Sequence, residues 1–116
     1  MKKGILFTIF FLLIFSSLTF GEDKGILNIQ GVVMVLDLKK SMLVVNEKTF
    51  FWDQQTAFYN EKGSPITIDK LKIKAWVYIE GENDKATLRR VATKIYLLPK
   101  YIDQKERYLY PFIQQD

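Results

Sequence analysis

The stretch K-A-W-V-Y-I-E-G at 74–81 decides how this chain is read. Side chains alternate across a strand, so Ile73, Ala75, Val77 and Ile79 form one row and Lys74, Trp76, Tyr78 and Glu80 the other. The first row is compact and wholly apolar, which suits the narrow interior of a small barrel. The second begins and ends on a charge and is expected to face outward. Trp76 and Tyr78 then lie on the outside, where bare indole and phenol rings form an apolar patch to be covered or bound.

Upstream, I-L-N-I-Q-G-V-V-M-V-L-D-L (26–38) is rich in β-branched residues and predicts a long strand, with Gly31 marking a bulge or sharp bend. K-K-S is a polar turn, M-L-V-V a second strand, N-E-K a turn and T-F-F-W a third strand, a spacing that predicts an antiparallel meander. Q-Q-T-A-F-Y-N continues it after a kink. Gly63, Ser64 and Pro65 break the pattern. Thr67 or Asp69 is then placed to cap a single helical turn through Leu71, its side-chain oxygen accepting from a free backbone N–H. The strand at 73–80 turns through G-E-N-D-K, with Gly81 relaxing the hairpin tip, and returns as T-L-R-R-V-A-T-K-I-Y-L-L until Pro99. The expected fold is all-β: a small five- to six-stranded antiparallel OB-like barrel with one short helical turn between strands 3 and 4. An SH3-like barrel or a small open sheet shares this pattern.

The first residues have a different layout. Lys2 and Lys3 precede an apolar run from Ile5 to Phe15, and smaller, more polar residues follow. That is the arrangement of a secretory signal peptide, with Thr19 and Gly21 as the small residues before a cut at Glu22. The rival reading is a retained anchor, which alone would bring membrane contact, but Ile5 to Phe20 is a little short for a bilayer span, which needs about 20 residues. The expected organisation is a signal peptide at 1–21, a barrel domain at 22–98 and an aromatic-rich tail at 99–116, in a protein exported to the periplasm or beyond. The formal charge of +4 includes Lys2 and Lys3, so the mature chain carries +2. A balance that mild speaks against a dedicated polyanion binder, and no nucleic acid partner is expected. There is no cysteine, so an exported domain of this size holds by packing alone.

The absence of histidine as well removes the usual general base, thiol nucleophile and zinc ligands. Ser41 and Ser64 both fall in turns with no imidazole to activate them. No enzyme activity, cofactor or metal is expected. Glu80, Glu82, Asn83 and Asp84 supply oxygens that a calcium ion favours, but without EF-hand spacing, and a solvated hairpin explains them more simply.

The runs Q-G-V-V-M-V-L-D, L-V-V, K-G-S-P-I, L-K-I-K-A-W-V-Y-I-E-G and V-A-T-K-I-Y-L-L resemble a family of small exported bacterial OB-like domains of unknown function. Gly31, Val33, Thr56, Leu71, Val77, Gly81, Ala92 and Ile95 occupy the places of its pattern. Such domains often carry Gly where this chain has Lys74. The resemblance covers about Ile29 to Leu98 and implies the fold, with no activity attached.

Two partners suit the outer face. Trp76, Tyr78 and Tyr96, with the tail, could meet an envelope protein. Lys72, Lys74, Arg89 and Arg90 beside the same rings could meet an anionic glycan or lipid headgroup, although adjacent Arg89 and Arg90 point to opposite faces of a strand. The tail itself, K-Y-I-D-Q-K-E-R-Y-L-Y-P-F-I-Q-Q-D (100–116), is richer in aromatics than disordered tails usually are, and is expected to fold back over Trp76 or Tyr78.

Overall fold

The computed structural model describes residues 26–113, so the signal peptide read at 1–21 lies outside the described residues. Within them, strands β1 (Ile26–Asp37), β2 (Met42–Val45), β3 (Lys48–Phe51), β4 (Ala57–Tyr59), β5 (Trp76–Asp84) and β6 (Arg89–Leu98) form one sheet in the order β3-β2-β1-β5-β6-β4. A further pairing of β3 with β6 closes it into a five-stranded barrel, with β4 as an extra strand. The molecule is an all-β barrel.

The pairings are not all antiparallel. β3 runs parallel to β6 through Phe50↔Arg90 and Phe51↔Val91, and β4 runs parallel to β6 through Ala57↔Lys94 to Tyr59↔Tyr96. Closure requires this: strand directions can alternate around a ring only when their number is even, so five strands leave at least one parallel contact. β4 keeps the direction of β3 because only the turn at 52–56 separates them. Thr56 holds that turn by accepting from Asp53 N–H (3.0 Å) and donating to the Ala92 carbonyl of β6 (2.6 Å).

Local chemistry explains the connections. Asn46 and Glu47 both have positive φ (51° and 63°), the two-residue loop whose twist matches an antiparallel hairpin. The helical turn forms as a single 3₁₀ turn at Ile68–Lys70, following β4. No side chain caps its backbone. The Thr67 hydroxyl donates instead to the Asp69 carboxylate, which holds that carboxyl below its ordinary pKa.

The two glycines act differently from the expectation. The register shift in β1 falls between Val33 and Val35, not at Gly31. Gly31 is needed for close approach: a Cβ there would lie 2.5 Å from Asn46 Oδ1 and 2.6 Å from Val45 Cγ1. Gly81 is not at the hairpin tip but inside β5, at a bulge opposite β6, where a Cβ would meet the Val91 carbonyl at 2.9 Å. The tip is at 85–88, closed by Asp84, which accepts from Ala86 N–H and Thr87 Oγ1.

The barrel interior is aliphatic around one ring. Val33, Leu43, Val45, Val77, Ile79 and Ile95 pack about Phe50, all with almost no exposure. Ile73 does not join them. β5 begins only at Trp76, because Lys74 adopts φ 74° and turns the chain, leaving Ile73 54 % exposed.

Candidate interaction face

Residues on the opposite parity build a second apolar cluster outside the barrel. Cross-strand register aligns Gln30 (β1), Tyr78 (β5), Tyr96 (β6) and Tyr59 (β4) in one row. Beside it run Val32, Trp76 and Leu98. Tyr59 and Tyr96 stack at 4.8 Å between ring centroids. Such pairs are worth about 0.5–1.5 kcal/mol beyond the area they bury.

The chain after Leu98 lies over this row. Tyr78 is 2 % and Tyr96 7 % exposed, in one cluster with Leu98, Ile102 and Ile113. Phe112 stacks on Tyr96, centroids 4.0 Å apart and planes within 3°. Burial raises the pKa of the Tyr96 phenol above its ordinary value, and the neighbouring Glu80, Tyr59 and Tyr78 add to the shift.

Polar contacts fix where the tail sits. Gln30 Nε2 donates to the Ile102 carbonyl (3.0 Å), and Gln30 Oε1 accepts from Ile102 N–H (2.6 Å). One side-chain amide thereby supplies the two bonds that a neighbouring strand would offer, which lets Ile102 be fully buried without orphaned backbone groups. Asp103 then caps a 3₁₀ turn at Gln104–Leu109 by accepting from Lys105 N–H and Glu106 N–H. An exposed Lys100–Glu106 ion pair (3.0 Å) spans its base.

The structure divides the residues expected to form one basic, aromatic surface. Tyr78 and Tyr96 are the floor beneath the tail. Trp76 is half-buried, with its ring edge-on to Tyr101 at 5.7 Å. Lys72 and Lys74 are exposed at the start of β5. Arg89 and Arg90 lie at its far end, Arg89 opposite Asp84 and Arg90 opposite Asn83. Eight residues of strand separate those ends, about 25 Å along the chain. The Arg89 guanidinium rests 4.4 Å above the Phe51 ring. Two basic sites result, and only the lysines adjoin Trp76.

This fold has a solved counterpart. It is similar to the crystal structure of the fimbrial biogenesis protein PilY2 from Pseudomonas aeruginosa PAO1, with a TM-score of 0.51 and 19 % identity. The match covers 72 % of this chain and 91 % of PilY2. At that identity the similarity concerns the small β-barrel fold alone. No protein-family model matches the chain, and no curated protein matches it. The resemblance drawn from strand residues is therefore supported for the small barrel and no further.

Sequence reasoning missed Gln30. A polar side chain at an outward position of an apolar strand, a feature it shares with Asn28, was its only signal. It also placed Ile73 inside, because the alternation at 73–80 outweighed the one sign of a turn, the Gly that similar domains carry at the place of Lys74.

Proposed function

We propose that this protein is an exported, non-enzymatic interaction module of the cell envelope, an OB-like barrel whose contact surface is its outer aromatic layer. In this reading Tyr78 and Tyr96 are the floor, and Trp76 with the tail is what a partner meets. The observation that carries it is the display of the tail. Tyr108 is 80 % exposed and Leu109 more than half, on a turn pinned at both sides by Ile102 and Phe112. Large apolar groups held rigidly in water suit protein recognition, since little side-chain and backbone freedom remains to be lost on binding. The role of PilY2 in fimbrial biogenesis supports an envelope setting. The OB reading rests on the five-stranded closure and the helical turn that precedes the last two strands.

A photo-crosslinking residue at Tyr108 of the full chain, exposed to envelope extract of the source cell, tests this. A discrete adduct is expected at Tyr108, absent when the same group replaces Lys62 and reduced in Leu109→Ser. Equal labelling from both positions, or none from Tyr108, overturns the reading.

A further inference from the structure

The connection entering β5 carries a second surface, at the opposite side of Trp76 from the tyrosine row. Leu71 is buried in the barrel and anchors this connection, whereas Ile73, two residues on, is more than half exposed. Lys74 causes the difference by adopting a left-handed φ of 74°, a conformation in which glycine meets no strain and lysine does. A lysine in place of the strain-free glycine invites a role for its side chain. The turn is rigid. Lys74 N–H donates to the Val33 carbonyl (2.7 Å), and Val33 N–H donates to the Ala75 carbonyl (2.9 Å).

Those two bonds bring Met34, the residue after Val33 and 61 % exposed, beside the turn. Tyr101, 49 % exposed, packs edge-on against Trp76, two residues beyond Lys74. Lys70, Lys72 and Lys74 are all exposed, and Lys72 and Lys74 flank Ile73 in the chain. Asp69 is the one acid between Thr67 and Trp76, and it already accepts the Thr67 hydroxyl. The outcome is a rigid apex with an apolar point, an aromatic shoulder and a surplus of positive charge.

We propose that the Lys72–Ile73–Lys74 turn, with Met34 and Tyr101, docks on an anionic lipid surface. A polyanionic glycan answers the lysines but offers nothing to Ile73 and Met34. A lipid surface answers both: headgroups take the ammonium groups, and the boundary beneath takes apolar side chains to a depth of about 5–10 Å. The Trp76–Tyr101 pair, apolar with polar tips, suits the headgroup level. This goes beyond the protein-partner reading: it shares Trp76 and Tyr101 with that surface but centres on the turn at 72–74 rather than on Tyr108 and Leu109. Failure of Tyr108 to crosslink leaves it standing, and its own failure leaves the Tyr108 reading standing.

The test is co-sedimentation of the mature protein with phosphatidylglycerol–phosphatidylcholine vesicles, against phosphatidylcholine alone. A Trp52→Phe background makes Trp76 the sole indole, so its emission gives a second readout. Expected are binding to the anionic vesicles that weakens as salt rises, and a blue shift of Trp76. Lys72→Gln with Lys74→Gln lowers the partition coefficient roughly thirtyfold, at about fivefold per lysine. Ile73→Ser lowers it about tenfold. Lys74→Gly separates binding from folding: it raises the melting temperature by relieving the left-handed strain while lowering vesicle binding about fivefold. No sedimentation at low salt, equal sedimentation with neutral vesicles, or unchanged binding by the double glutamine variant overturns the proposal. So does equally tight binding of dextran sulfate together with an unaffected Ile73→Ser, which identifies a soluble polyanion site.

Discussion

The two faces of one sheet carry two cores made of different materials. The inner core is aliphatic around Phe50 and is enclosed by the β1–β2–β3 and β5–β6 hairpins, which the pairings of β1 with β5 and of β3 with β6 join into a ring. The outer core is aromatic, built on Tyr59, Tyr78 and Tyr96, and is enclosed only when residues beyond Pro99 lie across it. Closure of the barrel is thus a matter of strand pairing, and closure of the outer layer is a matter of a tether. Small domains bury a low fraction of their surface. A second core on the same strands lets this cysteine-free chain bury more without lengthening the barrel.

Removing the centre of the inner core should destroy both. Phe50 has no exposure, and Phe50→Ala is expected to cost about 3–5 kcal/mol. Near-UV circular dichroism and thermal melts check it: tyrosine signals from the outer layer should vanish together with the barrel. Survival of the barrel would show that the inner core is not the foundation of the outer.

Removing the anchor of the outer core should be asymmetric. Ile102→Ala is expected to cost about 2–4 kcal/mol, since the residue is fully buried. Gln30→Leu, which leaves the Ile102 backbone groups without their clamp, costs about 2 kcal/mol. Hydrogen exchange should then quicken at Ile102 and Tyr110 while Val45, Val77 and Ile79 stay protected. Uniform loss of protection would instead make the two cores one cooperative unit.

The smallest effect is a titration. Tyr96 has its pKa raised, so its contribution to stability is complete below the ordinary phenol value near 10 and is lost as pH climbs from there through the raised value. The outer layer should therefore loosen in alkali before the barrel does, and Tyr96→Phe should shift that loosening upward. Absorbance of tyrosinate against pH, followed beside far-UV circular dichroism, separates the two events.

Much of this two-sided design was legible in the strand at 76–80. Alternation set Val77 and Ile79 on one face and Trp76 and Tyr78 on the other, and the structure sorts them that way. The interior position expected for Ile73 failed because parity extends only as far as the strand does, and the left-handed turn at Lys74 stops it. The sequence points to a bend at Gly31 and a relaxed hairpin tip at Gly81, whereas each is an approach point, for Val45 or Val91, that only the folded barrel brings near. The parallel contacts of β6 and the Gln30 clamp were illegible for a common reason. Each joins residues far apart in sequence, and nothing local records the meeting.

The clamp also has a consequence in time. Gln30 lies near the beginning of the domain and Ile102 near its end, 72 residues apart. Barrel hairpins can assemble as soon as their own residues are present, but the tyrosine row stays wet until the last segment of the chain arrives. During synthesis, that row is the part of the protein that waits longest. A chain truncated late is thus expected to emerge with a barrel already formed and a sticky aromatic flank, a state prone to association with other chains.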